Sequence, residues 1–464
     1  MKGKAKESKS PVKKKALLVE GSVGKILFKL TIPMILGIIG IVAFNLVDIY
    51  FVGRLGTNEQ AALSFTFPIV LVLNSLALGM GIGASAVISR AIGKGNHSKV
   101  QRLTTDSLTL AVLLVALFII LGLLTIEPIF RLLGASSQVM PLIKQYMTIW
   151  YPGVIFVIVP MVGNNAIRAT GDTITPGAIM IVAAVVNIIL DPLLIFGVGP
   201  FPRLEIVGAA IATVIARAIT LLVSLFVLSY RESMITFQLA PFKSILNSWK
   251  QILFIGLPNA GTRIIVPLGI GIITRLLASY GKEAVAAFGV ASRIEFFALT
   301  VVSALASVLA PFVGQNWGAG TRARVALGAK YSNKFSLGWG LAMLILLASL
   351  ARPIASIFNS NPVVISTIVL YLRIVPICYG LQGVLLLSTS ALNALNKPFH
   401  ASILTIIQMF LLYIPLAFAG AYLFGLAGIF AALALSYLIS GIVAHQVLSR
   451  TLTTKDPIKK SFAN

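Results

Sequence analysis

Residues 175–196 read TPGAIMIVAAVVNIILDPLLIF, and this stretch decides how the rest of the chain is interpreted. A helix needs about 20 apolar residues to cross the hydrocarbon core of a bilayer, and this stretch is long enough. It nevertheless contains Asn187 and Asp191. An ionisable side chain is expensive inside a membrane and is usually functional there. The stretch therefore predicts a spanning helix that contributes to a functional site.

The whole chain has the same apolar character. Of its 464 residues, 58% are hydrophobic and only 11% are charged, and the mean hydropathy is +0.98. No soluble core needs so much apolar surface, and the composition excludes disordered, collagen-like, coiled-coil and disulfide-rich proteins. A polytopic membrane protein remains. The single cysteine, Cys378, has no partner for a disulfide, and the three histidines are too scattered to form a metal site.

Charged and Gly/Pro-rich joints divide the chain into twelve apolar segments of spanning length. These segments cover residues 25–52, 61–89, 105–126, 140–167, 175–196, 206–229, 250–278, 284–312, 329–349, 363–392, 398–419 and 427–449. The first segment follows a basic tail, as in a signal peptide, but no small-residue cleavage site follows it, so we interpret it as a retained helix. The predicted organisation is a basic tail (1–24), an N-lobe (25–229), a linker (230–249), a C-lobe (250–449) and a second basic tail (450–464).

The net charge of +24 comes from 37 Lys and Arg against 13 Asp and Glu. In a soluble protein this excess would suggest nucleic acid as a partner. Here most basic residues fall in the two tails and in the joints after even-numbered helices. That distribution is the positive-inside pattern. It predicts a multi-pass protein of the plasma (inner) membrane with both termini and the linker in the cytoplasm, and it needs no nucleic-acid partner.

An internal repeat appears when the chain is compared with itself at an offset of 225 residues. Matched positions include Pro33 with Pro258, Gly56 with Gly281 and Gly93 with Gly318. Six helices per unit is an even number, so the two units have the same orientation in the membrane. The predicted fold is all-α, with two six-helix bundles related by a parallel repeat, an architecture typical of transporters. A duplicated scaffold without transport activity is the alternative.

The acidic residues fall into two groups. Most lie at joints, where we expect them to be solvated, and Asp106 is among these. Asp172 follows the fourth segment, and we expect it to cap a helix or to pair at the cytoplasmic face. Three acids remain inside the membrane: Asp48, Asp191 and Glu295.

Asp48 and Asp191 are predicted to lie at one depth. Each precedes the outer end of an outward-running helix by about one turn, so the 1.5 Å rise per residue places both just below the outer boundary. Asn45 and Asn187 lie one turn further in on the same helix faces. Thr213 reaches a similar depth in the inward-running sixth helix. The spacing predicts that these side chains converge in one layer of the N-lobe.

Such a cluster can hold a cation in two ways. Carboxylate, amide and hydroxyl oxygens are hard ligands that suit Na⁺. Alternatively, two nearby carboxylates in a low dielectric cannot both stay ionised, so one carries a proton near neutral pH. A polar cluster that only locks the helices together is the structural alternative.

The C-lobe lacks an equivalent layer, because the two aspartates fall on Ile273 and Leu416 at the same offset. The only acid deep in this lobe is Glu295, which we expect to form a polar pair with Arg293 at the cavity. An internal ion pair is favoured over substrate recognition because buried charges usually pair.

Pro33 and Pro258 lie well inside spans, where a missing backbone donor bends a helix. A hinge at Pro33 would move Asp48 when the ion arrives. A static kink is the alternative.

Several motifs resemble the multidrug and toxic compound extrusion (MATE) family, in particular its DinF-like and archaeal members. They are Ile32-Pro33, Asn45-Leu46-Val47-Asp48, Gly56-Thr57, Ala61-Ala62-Leu63, Arg168-Ala169-Thr170-Gly171-Asp172, Asn187-Ile188-Ile189-Leu190-Asp191-Pro192 and Gly208-Ala209-Ala210-Ile211-Ala212-Thr213. The resemblance covers residues 20–450. It implies a twelve-helix antiporter that exports amphipathic, mostly cationic drugs in exchange for inward H⁺ or Na⁺.

The resemblance also implies roles for individual residues. The cation-coupling residues would be Asp48, Asn187, Asp191 and Thr213. The surrounding network would contain Asn45, Tyr146 and Asn164. The bend of the first helix would lie at Pro33. The NorM-like branch also carries acids in the seventh and tenth helices, which this chain lacks, and Phe44 stands where some relatives have Tyr. Coupling through an acid at those two helices is therefore not expected here.

Two other function classes are alternatives to the exporter. A flippase of lipid-linked oligosaccharides in the same superfamily would use cavity cations such as Arg263, Arg293 and Arg373 to hold pyrophosphate. An intramembrane enzyme would need a nucleophile–base pair or a metal triad, and the sequence offers neither. We therefore expect an exporter of small amphipathic compounds by alternating access. It would need no cofactor beyond the coupling ion, bind no metal other than Na⁺, and act as a monomer in the bilayer.

Overall fold

The computed structural model describes residues 16–238 and 240–453. The two predicted basic tails lie largely outside these ranges, at residues 1–15 and 454–464. A short 3₁₀ turn at Leu17–Val19 precedes the first long helix.

Fifteen helices make up most of the described chain. In the first half they are α1 (Val23–Gly53), α2 (Thr57–Gly93), α3 (His97–Leu132), α4 (Met140–Gly153), α5 (Ile155–Ala169), α6 (Ile174–Phe196) and α7 (Glu205–Phe226). In the second half they are α8 (Phe242–Ala278), α9 (Lys282–Gly318), α10 (Arg322–Ser349), α11 (Ala351–Phe358), α12 (Pro362–Ile374), α13 (Tyr379–Ala394), α14 (Pro398–Ile406) and α15 (Ile414–Thr453). Short 3₁₀ or π-helical turns follow α7, α12 and α14.

The prediction of twelve spans is confirmed once interrupted helices are divided. Among the described residues, ten helical stretches are long and apolar enough to cross a membrane, and α10 with α11, bent by 69°, makes an eleventh. The stretch Pro398–Thr453 has 56 residues, which is about 84 Å of helix and too long for one crossing. Gly425 interrupts it with φ 60° and ψ −138°, a conformation that only glycine adopts readily. This stretch therefore supplies the last two spans.

Each half of the chain packs around its own apolar core. In the first half, buried side chains of α2, α3, α4 and α5 form one cluster, and α1 packs on α6, which packs on α7. In the second half, α9, α12, α13 and α15 surround another cluster. A third cluster joins the start of α1 to buried residues of α9, α13 and α15, so the two helix bundles share an apolar interface.

The lobes meet at the side of the membrane where α1 begins, which we call the terminal side. The end of α2 is in backbone contact with the end of α9 at this side, and the middle of α2 is in backbone contact with the middle of α8. A Cβ on Gly79 would lie 2.4 Å from the carbonyl oxygen of Gly256, and one on Gly93 would lie 2.0 Å from that of Gln315. Only glycine permits so close an approach, so these positions hold the two lobes together from the middle of α2 to its end.

The start of the chain strengthens this contact. The buried Leu18 donates its N–H to Oε1 of Gln315 at 3.1 Å, and its carbonyl accepts from Nδ2 of Asn316 at 3.0 Å. Arg324 donates to the carbonyl of Gly21 at 2.8 Å. The segment before α1 is therefore held by α9 and α10 of the other lobe, which ties the two lobes together at the terminal side.

Asp106 and Asp172 lie near the ends of spans, and the structure contradicts the prediction for the first and confirms that for the second. Asp106 was predicted to be solvated, and this is wrong. It is 1% exposed and pairs with Arg102 at 2.5 Å, because α3 begins eight residues before the predicted span and places the two at i and i+4. The prediction that Asp172 caps or pairs is confirmed: it accepts from the N–H of Thr175 at 3.0 Å and pairs with Arg231.

Candidate functional site

Three helices of the N-lobe, α1, α6 and α7, pack in a regular register. Two apolar layers mark it: one contains Val52, Ile195 and Ala209, and the other, nearer the terminal side, contains Phe44, Ala184 and Ala216. Asp48 and Thr213 each lie within one turn of a member of both layers, and Asp191 lies one turn from Ile195 and two turns from Ala184, so all three are between the layers. We call Asp48, Asn187, Asp191 and Thr213 the carboxylate layer. The structure thus brings the predicted coupling residues to one level.

The carboxylate layer contains oxygens that lack hydrogen-bond partners. Asn187 and Asp191 are 0% exposed, and Nδ2 of Asn187 donates to Oδ1 of Asp191 at 3.0 Å. Buried oxygens without a partner among the described residues are Oδ1 of Asp48, Oδ1 of Asn187, Oδ2 of Asp191 and Oγ1 of Thr213. Buried polar atoms are nearly always paired in proteins. Four unpaired oxygens within one helical turn of each other in depth are a ligand set that fits a hard cation or a proton.

Two further features make the layer attractive to a positive charge. Pro192 has no N–H, so the carbonyl of Ile188 lacks its usual helical donor. The carboxylates of Asp48 and Asp191 also lie in each other's electrostatic field. Two like charges held close together away from water repel one another, and a cation or a proton removes that repulsion. The arrangement suits H⁺ and Na⁺ alike.

The predicted network residues take different positions. Tyr146 of α4 is buried and lies in the electrostatic field of both aspartates. Asn164 of α5 is buried, and its Oδ1 has no partner in the described part of the chain. Asn45 was expected on the face of Asp48, but it is exposed. A residue three positions earlier is rotated by about 60° around a helix, which carries Asn45 out of the buried layer.

Sequence reasoning missed Arg217. It lies on α7 one turn from Thr213, and its guanidinium carbon is 4.5 Å from the centroid of the Phe44 ring. Arg217 and Asp48 also interact electrostatically. The signal was present in the sequence, because Arg217 is the only charged residue between Glu205 and Arg231.

The C-lobe holds the half-buried Glu295 in a different way. Its two carboxylate oxygens accept hydrogen bonds from the hydroxyls of Tyr371 and Tyr437, the latter at 2.5 Å. We call these three residues the tyrosine cage. The expected ion pair between Arg293 and Glu295 is wrong: none joins them within residues 16–238 and 240–453, and Arg293 is exposed. Residues two apart on a helix do not face each other.

Pro33 lies where α1 meets α6, and α1 is helical on both sides of it. A Cβ on Gly177 would be 2.6 Å from the carbonyl oxygen of Pro33. The two helices are therefore in backbone contact at the proline. Whether α1 bends there during transport stays a prediction.

Two surface grooves lie away from the carboxylate layer. One of about 600 Å³ is lined by α8 residues and Phe399, and one of about 210 Å³ lies between the start of α1 and α10. Neither contains a residue of the carboxylate layer, and we base no site on them. The described residues also contain no group of three or more His, Cys, Asp or Glu suited to a metal ion.

Two repeated halves of spanning helices, with carboxylates inside the spans of both, are typical of a membrane transporter. The MatE family model matches the chain twice, at residues 33–193 and 258–419. The two matches begin 225 residues apart, which is the offset of the internal repeat. The chain therefore belongs to the MatE family, as the motifs had indicated.

Curated relatives cover nearly the whole chain. It is 39% identical to the FAD transporter of Shewanella oneidensis over 447 residues, 96% of this chain and 98% of the relative. It is 27% identical to the multidrug export protein MepA of Staphylococcus saprophyticus, over 92% of this chain and 94% of that one. Among solved structures, the MATE transporter VcmN of Vibrio cholerae in its bent form has a TM-score of 0.89 and 33% identity, covering 93% of this chain and 97% of that chain. The fold is that of the MATE transporters.

Proposed function

We propose that the chain is a cation-coupled antiporter, in which H⁺ or Na⁺ enters through the carboxylate layer and drives the export of an organic solute by alternating access. The observation that supports this proposal most directly is the set of four buried, unpartnered oxygens at one level of the N-lobe. The contact between the lobes at the terminal side also supports it, because a cavity closed at one end can load and release at only one side at a time.

For the solute, we propose a flavin dinucleotide such as FAD, ahead of the amphipathic cationic drugs that the sequence predicts. The FAD transporter is more similar to this chain than MepA is, at 39% against 27% identity. FAD carries a pyrophosphate, which guanidinium groups recognise well. Arg263, Arg293 and Arg373 are exposed C-lobe side chains and form no ion pair within the described residues. The same arginines were the argument for a lipid-linked oligosaccharide flippase, so they favour an anionic solute without deciding its size.

The proposed setting is the plasma (inner) membrane, with both termini cytoplasmic and the protein acting as a monomer. The excess of basic residues in the joints on the side of the termini supports this orientation. The terminal side would then be the cytoplasmic side, and the lobe contact would close the cavity toward the cytoplasm. The carboxylate layer lies in the other half of α1, where an ion entering from outside arrives first.

The test is solute efflux from proteoliposomes. One set is loaded with FAD and a second with ethidium, and each is exposed to an outside-acid pH gradient alone and then to an inward Na⁺ gradient alone. Fluorescence of the released solute reports efflux, and vesicles with the double variant Asp48→Asn, Asp191→Asn serve as the matched control. We expect FAD efflux under one gradient in the wild type only. Efflux of ethidium alone would replace the proposed solute, and efflux of neither would overturn the proposal.

A further inference from the structure

Arg217 occupies a defined place in the register of α1 and α7. The two helices run in opposite directions, so Phe44 faces Arg217 at one level and Asp48 faces Thr213 one turn further from the terminal side. The guanidinium therefore lies about one turn, roughly 5.4 Å, below the carboxylate layer. That distance is within the reach of a long and flexible side chain.

The position of Arg217 is energetically unfavourable. It lies in the middle of the span Glu205–Arg231, where an arginine in hydrocarbon is strongly unfavourable. No carboxylate lies within ion-pairing distance of it among the described residues. Its stabilisation comes from the face of Phe44 and from the electrostatic attraction of Asp48. An arginine retained under these conditions needs a partner at another stage of the transport cycle.

Asp48 lacks a partner that Arg217 could supply. Its Oδ1 is buried and has no hydrogen-bond donor. A bound cation would satisfy this oxygen in one stage of the cycle, but release of that cation would leave a bare carboxylate away from water. A guanidinium one turn away is the nearest group that can supply donors and positive charge.

We propose that Arg217 is a tethered counter-cation of the carboxylate layer: it rests on Phe44 while the coupling ion is bound, and it pairs with Asp48 when that ion leaves. The inference rests on the proposed antiport function. Two ionised carboxylates and one guanidinium carry a net charge of −1, so the layer is neutralised by a single monovalent cation. Arg217 stabilises the ion-free state and thereby lets the coupling ion dissociate into the cytoplasm.

The first test is a double-mutant cycle on folding stability, which requires no transport. Melting temperatures of the full chain in detergent are measured for wild type, Arg217→Gln, Asp48→Asn and the double variant, with Arg263→Gln as a control for a mid-helix arginine of the other lobe. We expect Arg217→Gln to lower the melting temperature by several degrees in the wild-type background and by much less beside Asp48→Asn, because the carboxylate it compensates is gone. Equal losses in both backgrounds would overturn the proposal.

The second test separates ion release from solute binding. In proteoliposomes, exchange of external for internal FAD needs no coupling ion, whereas gradient-driven efflux does. For Arg217→Gln we expect exchange at the wild-type rate and gradient-driven efflux lowered about tenfold or more. Arg217→Lys keeps the charge and should restore part of the efflux.

The outcomes distinguish the two proposals. Loss of both exchange and efflux in Arg217→Gln would show that Arg217 binds the anionic solute, which overturns the counter-cation assignment. If the wild type transports FAD under no gradient, the proposed solute fails, ethidium replaces FAD in the same comparison, and the double-mutant cycle still decides whether Arg217 compensates Asp48.

Discussion

Both lobes hold carboxylates inside the spans, but only the C-lobe supplies hydrogen-bond partners for all the carboxylate oxygens. In the tyrosine cage, both oxygens of Glu295 accept hydrogen bonds, from α12 and from α15. In the carboxylate layer, Asp48 and Asp191 each keep a buried oxygen without a partner. An unsatisfied buried polar group costs about 1–3 kcal/mol. The N-lobe therefore loses folding free energy that a bound cation can restore. In the C-lobe, the hydrogen bonds of Glu295 link α9 to α12 and α15.

The cage also holds donors in reserve. The hydroxyl of Tyr413 is buried, forms no hydrogen bond among the described residues and lies in the electrostatic field of Glu295, and the buried hydroxyl of Tyr379 also interacts with that carboxylate. Hydroxyls can rotate, so either is available if one of the present donors is lost. The carboxylate layer has the reverse composition, with more acceptors than donors, as a cation site requires.

The comparison predicts its largest effect for the N-lobe. Asp48→Asn and Asp191→Asn each keep the size of the side chain and remove its charge, so the layer can no longer alternate between occupied and empty states with different solute affinities. We expect gradient-driven efflux to fall to the level of empty vesicles while the folded protein is recovered in normal yield. Solute efflux and equilibrium solute binding in detergent measure the two properties. Wild-type efflux in both variants would make the layer a structural cluster.

An aspartate introduced at the matching position of the C-lobe tests whether this lobe can accommodate a second carboxylate layer. Ile273 of α8 matches Asp48 in the repeat and is 0% exposed in an apolar cluster. We expect Ile273→Asp to destabilise the fold by roughly 3–5 kcal/mol, because the charge would be buried without a partner. Ile273→Asn is the matched control, since it has nearly the same shape and no charge. Similar melting temperatures for the two variants would mean that water reaches this position.

A smaller effect is expected for the tyrosine cage. Glu295→Gln replaces one acceptor oxygen by a donor, so one of the two tyrosine hydrogen bonds is lost, at a cost of about 1–3 kcal/mol. The folded protein should still couple transport, because the cage is outside the proposed ion path. Tyr437→Phe is the control and should cost less, since a reserve hydroxyl can replace the one removed. Loss of efflux in folded Glu295→Gln would place a second ion site in the C-lobe.

Helix geometry made the carboxylate layer predictable from sequence. The ends of apolar segments fix the depth of a residue, and a fixed rise per residue then places Asp48, Asp191 and Thr213 at one level. The repeat and the two groups of six helices could be predicted for a similar reason, since both are read along the chain. The rotation of a residue about its helix was less certain, and Asn45 is the example: it has the right depth but is exposed.

Contacts between distant helices could not be predicted in the same way. The tyrosines of the cage are 76 and 142 residues from Glu295, and nothing in the local sequence marks them as its partners. Arg293 was chosen because it is near in sequence, and helix geometry excludes that pair. Arg217 was visible as a charge inside a span, but its place over Phe44 depends on how α1 and α7 pack.

The smallest effect is expected for a carboxylate at the edge of the membrane. Asp172 pairs with Arg231 and accepts from the N–H and the hydroxyl of Thr175. Its side chain is 19% exposed and that of Arg231 is 48% exposed, so water and salt screen the pair. Asp172→Asn should cost at most about 1 kcal/mol and leave gradient-driven efflux unchanged. Arg231→Gln removes the same ion pair from the other side together with the contact of Arg231 with Glu232, and it should lower the melting temperature at least as much, while the effect stays small. If Asp172→Asn abolished efflux while Arg231→Gln did not, this carboxylate would act on the transported ion itself, and the distinction between unsatisfied and satisfied carboxylates would no longer identify the coupling site.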